Sequence, residues 1–138
     1  MSLVLDSSVA LAWAYSDEAT QAIRDVFDRI ADNGAYVPPL WQLEVANVLQ
    51  MGVKRGRTGG NFRDAALADL ALLPIRLDLE TDRQAWGGTM QLAIHHGLTS
   101  YDAAYLELAQ RRKLPLATLD RELRAAAKAE GIVLLGKT

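Results

Sequence analysis

Four acids stand where a soluble fold has least use for an unpaired charge. Asp6 follows the apolar run Leu3-Val4-Leu5, and Asp120 follows Leu116-Ala117-Thr118-Leu119. Short apolar runs cut off by a polar residue read as buried strands, and an acid at that point emerges at the carboxyl edge, where parallel sheets place their ligands. Glu44 lies three or four residues from Leu40, Trp41 and Val48, on the apolar stripe of a helix read over residues 40–55. Asp102 lies three, four and seven residues from Tyr105, Leu106 and Ala109 in the helix after His96, so it too points inward. Burying a carboxylate without compensation is expensive, so each acid needs a partner.

Each also has a structural use. Asp6 and Asp120 precede helices as N-caps, Thr99-x-x-Asp102 has the form of a capping box, and Glu44 can pair with an arginine such as Arg57 or Arg76. As a set, the four are better explained by a shared cation than by four independent accidents. Oxygen-only donors select a hard ion, so the expectation is Mg²⁺ or Mn²⁺ held by Asp6, Glu44, Asp102 and Asp120. Ser8 and Thr118 each lie two residues from one of these acids and are placed to orient a ligand carboxylate or a bound water. A local turn or cap is an equal reading of both. His95 and His96 are adjacent, about 100° apart on a helix, which suits helix-end capping better than a common metal.

The elements that must position these groups alternate in type. Strands are read at 3–5, 36–37, 74–79, 114–119 and 132–135. Helices are read from Val9, over 17–30, 40–55, 62–72, 81–96, 101–112 and 121–130. Gly56-Arg57-Thr58-Gly59-Gly60 is the clearest break. Alternation with short links predicts an α/β fold: a single domain over 1–138 with a central, mostly parallel sheet flanked by helices on both faces. Trp13, Trp41 and Trp86 fall within apolar helical stripes and are read as core.

Composition narrows the chemistry further. The 138 residues include no Cys, which removes thiolate nucleophiles, zinc-finger ligation and a disulfide framework and makes a reducing, cytoplasmic setting the expectation. The opening MSLVLDSS carries no basic leader, and no apolar run approaches a membrane span. Phosphate-binding glycine motifs and the serine-hydrolase elbow are absent. Fifteen Lys+Arg against 17 Asp+Glu give a net charge of −2, unlike a generic nucleic-acid coat protein. Four acids committed to metal ions would leave 13 against the same 15 bases. Lys54, Arg55 and Arg57 cluster at one helix end and Arg111, Arg112 and Lys113 at another. Helix-dipole placement accounts for either cluster, and the expectation is that one of them, Lys54, Arg55 and Arg57 foremost, flanks a phosphate-binding groove.

The motifs resemble those of PIN-domain nucleases, specifically the VapC-type ribonuclease toxins of prokaryotic toxin–antitoxin pairs. Leu3-Val4-Leu5-Asp6-Ser7-Ser8-Val9 is similar to the family's opening strand and first acid, and Glu44-Val45-Ala46-Asn47-Val48-Leu49 to its second. Thr99-Ser100-Tyr101-Asp102-Ala103-Ala104-Tyr105 is similar to the third motif and Ala117-Thr118-Leu119-Asp120 to the fourth. The stretch 52–90 matches no motif. The resemblance implies a compact α/β sandwich, Mg²⁺- or Mn²⁺-dependent cleavage of RNA at the acidic quartet, a homodimer and a small cognate antitoxin. Two other classes compete: a non-catalytic or regulatory binding module of the same fold, and a receiver-type phosphoacceptor domain. The latter wants paired acids after its first strand, where Asp6-Ser7-Ser8 supplies one. A DNA nuclease would share the same chemistry.

Overall fold

The computed structural model describes residues 1–137. Its centre is a five-stranded sheet of β1 (Leu3–Leu5), β2 (Ala35–Val37), β3 (Ile75–Leu77), β4 (Leu116–Ala117) and β5 (Leu134–Leu135), in the order β3-β2-β1-β4-β5. Every pairing is parallel, with Val4 level with Leu116 and Leu5 with Ala117. β1 is apolar throughout and fully buried, as expected of a strand covered on both faces.

Helices α1 (Ser7–Ala14), α2 (Gln21–Asn33), α3 (Trp41–Lys54) and α4 (Gly60–Ala71) connect β1, β2 and β3 and pack on one another. Helices α5 (Thr81–Gln84), α6 (Gly88–His96), α7 (Ser100–Arg112) and α8 (Arg121–Ala129) form the second packed group. The chain therefore winds outward from β1 to β3, returns across the sheet to β4 and continues to β5. The direction of winding reverses between β1 and β4, which makes the crevice beyond their carboxyl ends the topological switch point where doubly wound sheets bind ligands. Among the described residues no helix is long and apolar enough to cross a membrane.

Several local expectations change. The helix read over 81–96 is two helices: α5 ends at Gln84, and α6 begins at Gly88 behind its N-cap Gly87, glycine being a poor residue for a helix interior. Trp86, at that break, is 95% exposed rather than in the core. Trp41 is buried, and Trp13 is half-buried and stacked on Phe27 at 4.5 Å. α2 starts at Gln21 with Thr20 as its cap, so Asp17 and Glu18 precede the helix and pair with Arg57 instead. The buried stripe of α3 runs through Trp41, Val45 and Leu49 at i, i+4, i+8, leaving Val48 exposed. Glu44 accordingly flanks the stripe, half-buried.

Candidate active site

The reversal crevice is built around Asp6, which is 4% exposed. Its backbone N–H donates to Ala117 O at 3.0 Å, extending the β1–β4 pairing by one residue and setting Asp6 beside Thr118. Thr118 Oγ1 donates to Asp6 Oδ2 at 2.9 Å, and Ser8 Oγ donates to the same oxygen at 2.5 Å. Both hydroxyls are oriented from behind: Thr118 Oγ1 accepts from Asp120 N–H at 3.1 Å, and Ser8 Oγ from Leu119 N–H at 3.0 Å. Gly136, after β5, permits this packing. It has φ +97°, and a Cβ there would lie 3.2 Å from Val9 Cγ2 and 3.8 Å from the Thr118 backbone.

The caps expected from sequence form. Asp6 accepts from Ser8 N–H at 3.4 Å, Asp120 Oδ2 accepts from Leu123 N–H at 2.8 Å, and Thr99 Oγ1 accepts from Asp102 N–H at 3.1 Å. Capping and ligation do not exclude one another here. For Asp6 and Asp120 all the hydrogen bonds found among the described residues fall on Oδ2, which leaves Oδ1 available. Glu44 follows suit through a residue that the sequence presents only as part of an apolar face: Tyr105 Oη donates to Glu44 Oε1 at 2.5 Å. Ser7 lies beside both. The one signal for Tyr105 is its place three residues after Asp102, on the same helical face.

None of the four acids forms an ion pair with a basic side chain among the described residues. Glu44 meets neither Arg57, which binds Glu18 at 2.7 Å, nor Arg76. The electrostatics show the consequence. Burial raises the Asp6 carboxyl above the ordinary range against the pull of its hydroxyl and N–H donors, and Asp120 raises it further. Burial likewise raises Glu44, opposed by Tyr105 and reinforced by Asp6 and Asp102. Asp102 is raised by burial and then by Asp120 and Asp6. The Tyr105 phenol is pushed upward by burial and by Glu44, so it stays a proton donor. Asp6, Glu44 and Asp102 each thus feel another of the acids, and Asp120 acts on Asp6 and Asp102. Their oxygens are nevertheless splayed, for no three of the four bring one oxygen each within 4.8 Å of one another.

The donor set fits a divalent ion. It consists of carboxylate oxygens alone; those of Asp6, Glu44 and Asp120 are held on one side by hydroxyl, phenol or amide and free on the other, and no side-chain cation among the described residues neutralises any of the four. Octahedral Mg²⁺ usually keeps several waters and takes few carboxylates directly, which suits splayed oxygens better than a tight cage would.

The basic clusters divide. Arg111 and Arg112, read as candidates for a groove flank, are committed to Asp78: Arg111 Nη2 donates to Oδ2 at 2.6 Å and Arg112 Nη2 to Oδ1 at 3.0 Å. Arg57 is held by Glu18 and lies 3.7 Å from the centroid of the Tyr15 ring. Lys54 and Arg55 are exposed and form no ion pair among the described residues. His96 does not cap a helix carbonyl as expected, because Gly97 closes α6 in the left-handed region and the imidazole turns to Glu130 at 2.8 Å.

Comparison with known proteins bears on the chain as a whole. The family model described as PIN domain matches residues 3–129. Ribonuclease VapC3 of Pyrobaculum aerophilum is 33% identical over 129 residues, covering 89% of this chain and 92% of that protein. Among solved structures, PAE2754 from Pyrobaculum aerophilum superposes with a TM-score of 0.70 at 25% identity, covering 97% of this chain and 89% of the other. VapBC2 from Rickettsia felis, solved bound to a DNA fragment from their promoter, superposes at 0.64 with 11% identity and 97% of both chains covered.

Proposed function

The chain belongs to the PIN-domain family, among its VapC-type ribonuclease toxins, and on that premise we propose that it is a Mg²⁺- or Mn²⁺-dependent endoribonuclease that hydrolyses RNA phosphodiester bonds at Asp6, Glu44, Asp102 and Asp120. The observation that carries the reading is the field of unpaired acids at the reversal crevice, with free oxygens on Asp6, Glu44 and Asp120 and a buried Asp6 that no basic side chain compensates. A protein interior does not keep such a group for packing. A divalent ion, when bound, polarises a phosphate oxygen and lowers the pKa of a water.

The chain's own groups do the rest. Ser8 and Thr118 fix the plane of the Asp6 carboxylate, Tyr105 fixes Glu44, and the cap bonds fix Asp120, so that the free oxygens keep their directions without reorganising. The attacking water's proton would pass to one of the same four carboxylates. Lys54 and Arg55, without acidic partners among the described residues, attract the RNA backbone, whereas Arg57 is occupied. The same reading includes a cytoplasmic toxin neutralised by a small cognate antitoxin, which the name VapBC2 of a structural neighbour supports. It also includes a homodimer, for which exposed Leu72, Leu77 and Leu79 in and beside the edge strand β3 offer apolar surface. Sedimentation tests the dimer.

The decisive experiment compares wild type with Asp6→Asn on purified RNA. Divalent-dependent cleavage should fall by roughly a hundredfold or more with the fold intact. Undiminished cleavage by the variant defeats the proposal.

A further inference from the structure

A second donor cluster lies outside the acidic crevice. His95 and His96 close α6, and Glu130 is the C-cap of α8. One ligand atom from each lies within 4.8 Å of the other two, the one such trio of His, Asp or Glu among the described residues. The histidines are the only two in the chain. Their rings meet edge to face with centroids 4.6 Å apart. His96 Nε2 is 2.8 Å from Glu130 Oε2, and Gln110 Nε2 donates to Glu130 Oε1 at 2.9 Å, so the carboxylate is oriented from α7.

We propose that His95, His96 and Glu130 form a second metal site, specific for a borderline transition ion such as Zn²⁺ and open at one coordination position. The donor set decides the ion. Two imidazole nitrogens and one carboxylate oxygen are the ligands of Zn²⁺ and its neighbours, not of the hard ions that all-oxygen sites select. The two sites therefore differ in chemistry as well as in place. The setting favours a cation, because two helix carboxyl ends, the negative ends of their dipoles, meet there. The geometry is nearly set. Bonds of about 2.0–2.1 Å require tetrahedral donors about 3.3 Å apart. His96 and Glu130 already approach more closely than that, and His95, the exposed member, has solvent on one side into which its ring can swing. Adjacency in sequence does not prevent this at a helix end, where the rings turn toward one another rather than projecting about 100° apart.

The competing account is a plain His96–Glu130 pair with His95 idle, and metal uptake separates the two. The test uses the full chain without a polyhistidine tag, in mildly alkaline buffer, and titrates Co²⁺ as the visible probe with Zn²⁺ as competitor. The expected result is one equivalent of Co²⁺ giving intense d–d absorption of low coordination number, displaced by Zn²⁺ and not by excess Mg²⁺. Both histidine ring nitrogen resonances should shift. His95→Ala, His96→Ala and Glu130→Gln should each weaken uptake by about tenfold or more, and Asp6→Asn should leave it unchanged, so this site stands or falls independently of the acidic crevice. Absence of stoichiometric uptake overturns the proposal, as does uptake that survives substitution of both histidines. Uptake indifferent to His95→Ala overturns the three-ligand site.

Discussion

Asp78 and Asp6 are both buried aspartates at the ends of parallel strands, and they are treated in opposite ways. Asp78 is fully buried, and its two oxygens receive Arg111, Arg112 and Thr81. Burial alone would raise its carboxyl, but Arg111, Thr81 and Arg112 hold it down at about 2. Arg111 is shared with Glu107 and Glu80, and Arg112 lies 4.0 Å from the centroid of the Tyr36 ring, so the cluster ties the β3 edge to the end of α7. Asp6 has only hydroxyl and amide donors, and its carboxyl rises. An acid kept for structure is supplied with its cation as a side chain. On the proposed reading Asp6 is kept for chemistry: it is left with an oxygen unspoken for, and the fold would carry the electrostatic cost of that acid until an ion bound.

Removing the structural acid puts this contrast under the greatest strain. Asp78→Asn should destabilise the protein by about 3 kcal/mol, the low end for disrupting a buried pair, because both guanidinium groups keep some contact with water. The pH dependence has a definite sign. A folded value of about 2 against the usual 3.8 means that Asp78 stabilises above about pH 4 and that this contribution fades as pH falls toward 2. Wild type should therefore lose stability over that window in urea melts, and the variant should lose less. Equal melts for the two proteins would remove the contrast.

The acidic crevice should behave inversely and more weakly. Carboxyls raised on folding bind extra protons in the native state, so the metal-free protein loses stability as pH climbs from the ordinary carboxylate range through the raised values of Asp6, Glu44 and Asp102. Mg²⁺ at about a hundred times its dissociation constant should return about 2.7 kcal/mol. Asp6→Asn should melt higher than wild type without metal and gain little from Mg²⁺. A variant that melts lower, or that Mg²⁺ stabilises equally, contradicts the assignment of Asp6.

Much of this is legible in the chain. The strand-end acids, the parallel sheet and the hydroxyls around Asp6 follow from short apolar runs and from two-residue spacings, which are local signals. Long-range partners are not local. Asp78 lies 33 residues from Arg111, and nothing in a run of basic residues at a helix end says whether it faces solvent, phosphate or a buried acid. Tyr105 reads as one more residue of the apolar face of α7 until the fold sets α3 beside it, and its hydroxyl then proves to be the group that holds Glu44. Trp86 misleads because the helical stripe that contains it runs on across a break, α5 stopping at Gln84 and α6 starting afresh at Gly87 and Gly88.

Tyr105→Phe tests that hidden hydrogen bond at smaller scale. The ring and its packing remain while the 2.5 Å bond to Glu44 is removed, so stability should change little and Mg²⁺ affinity should fall by about tenfold, the low end for a group that orients a ligand. A proportional drop in melting temperature with unchanged affinity would make Tyr105 a packing residue only.

The smallest effect concerns the cations. Lys54 and Arg55 lack acidic partners among the described residues and Arg57 has two acids and an aromatic ring, so the three neighbouring charges should not act alike. Replacing Lys54 and Arg55 with Gln should weaken RNA binding across sequences and reduce the slope of log affinity against log salt by about 0.7 for each phosphate of a single strand that is no longer neutralised. Arg57→Gln should leave that slope unchanged and loosen the loop before α2, where Asp17 and Glu18 would be without their arginine. If the Arg57 substitution flattens the slope as much as the other two, its pairing with Glu18 yields to phosphate, and the rule drawn from Asp78, that a paired charge is a structural one, fails at this surface.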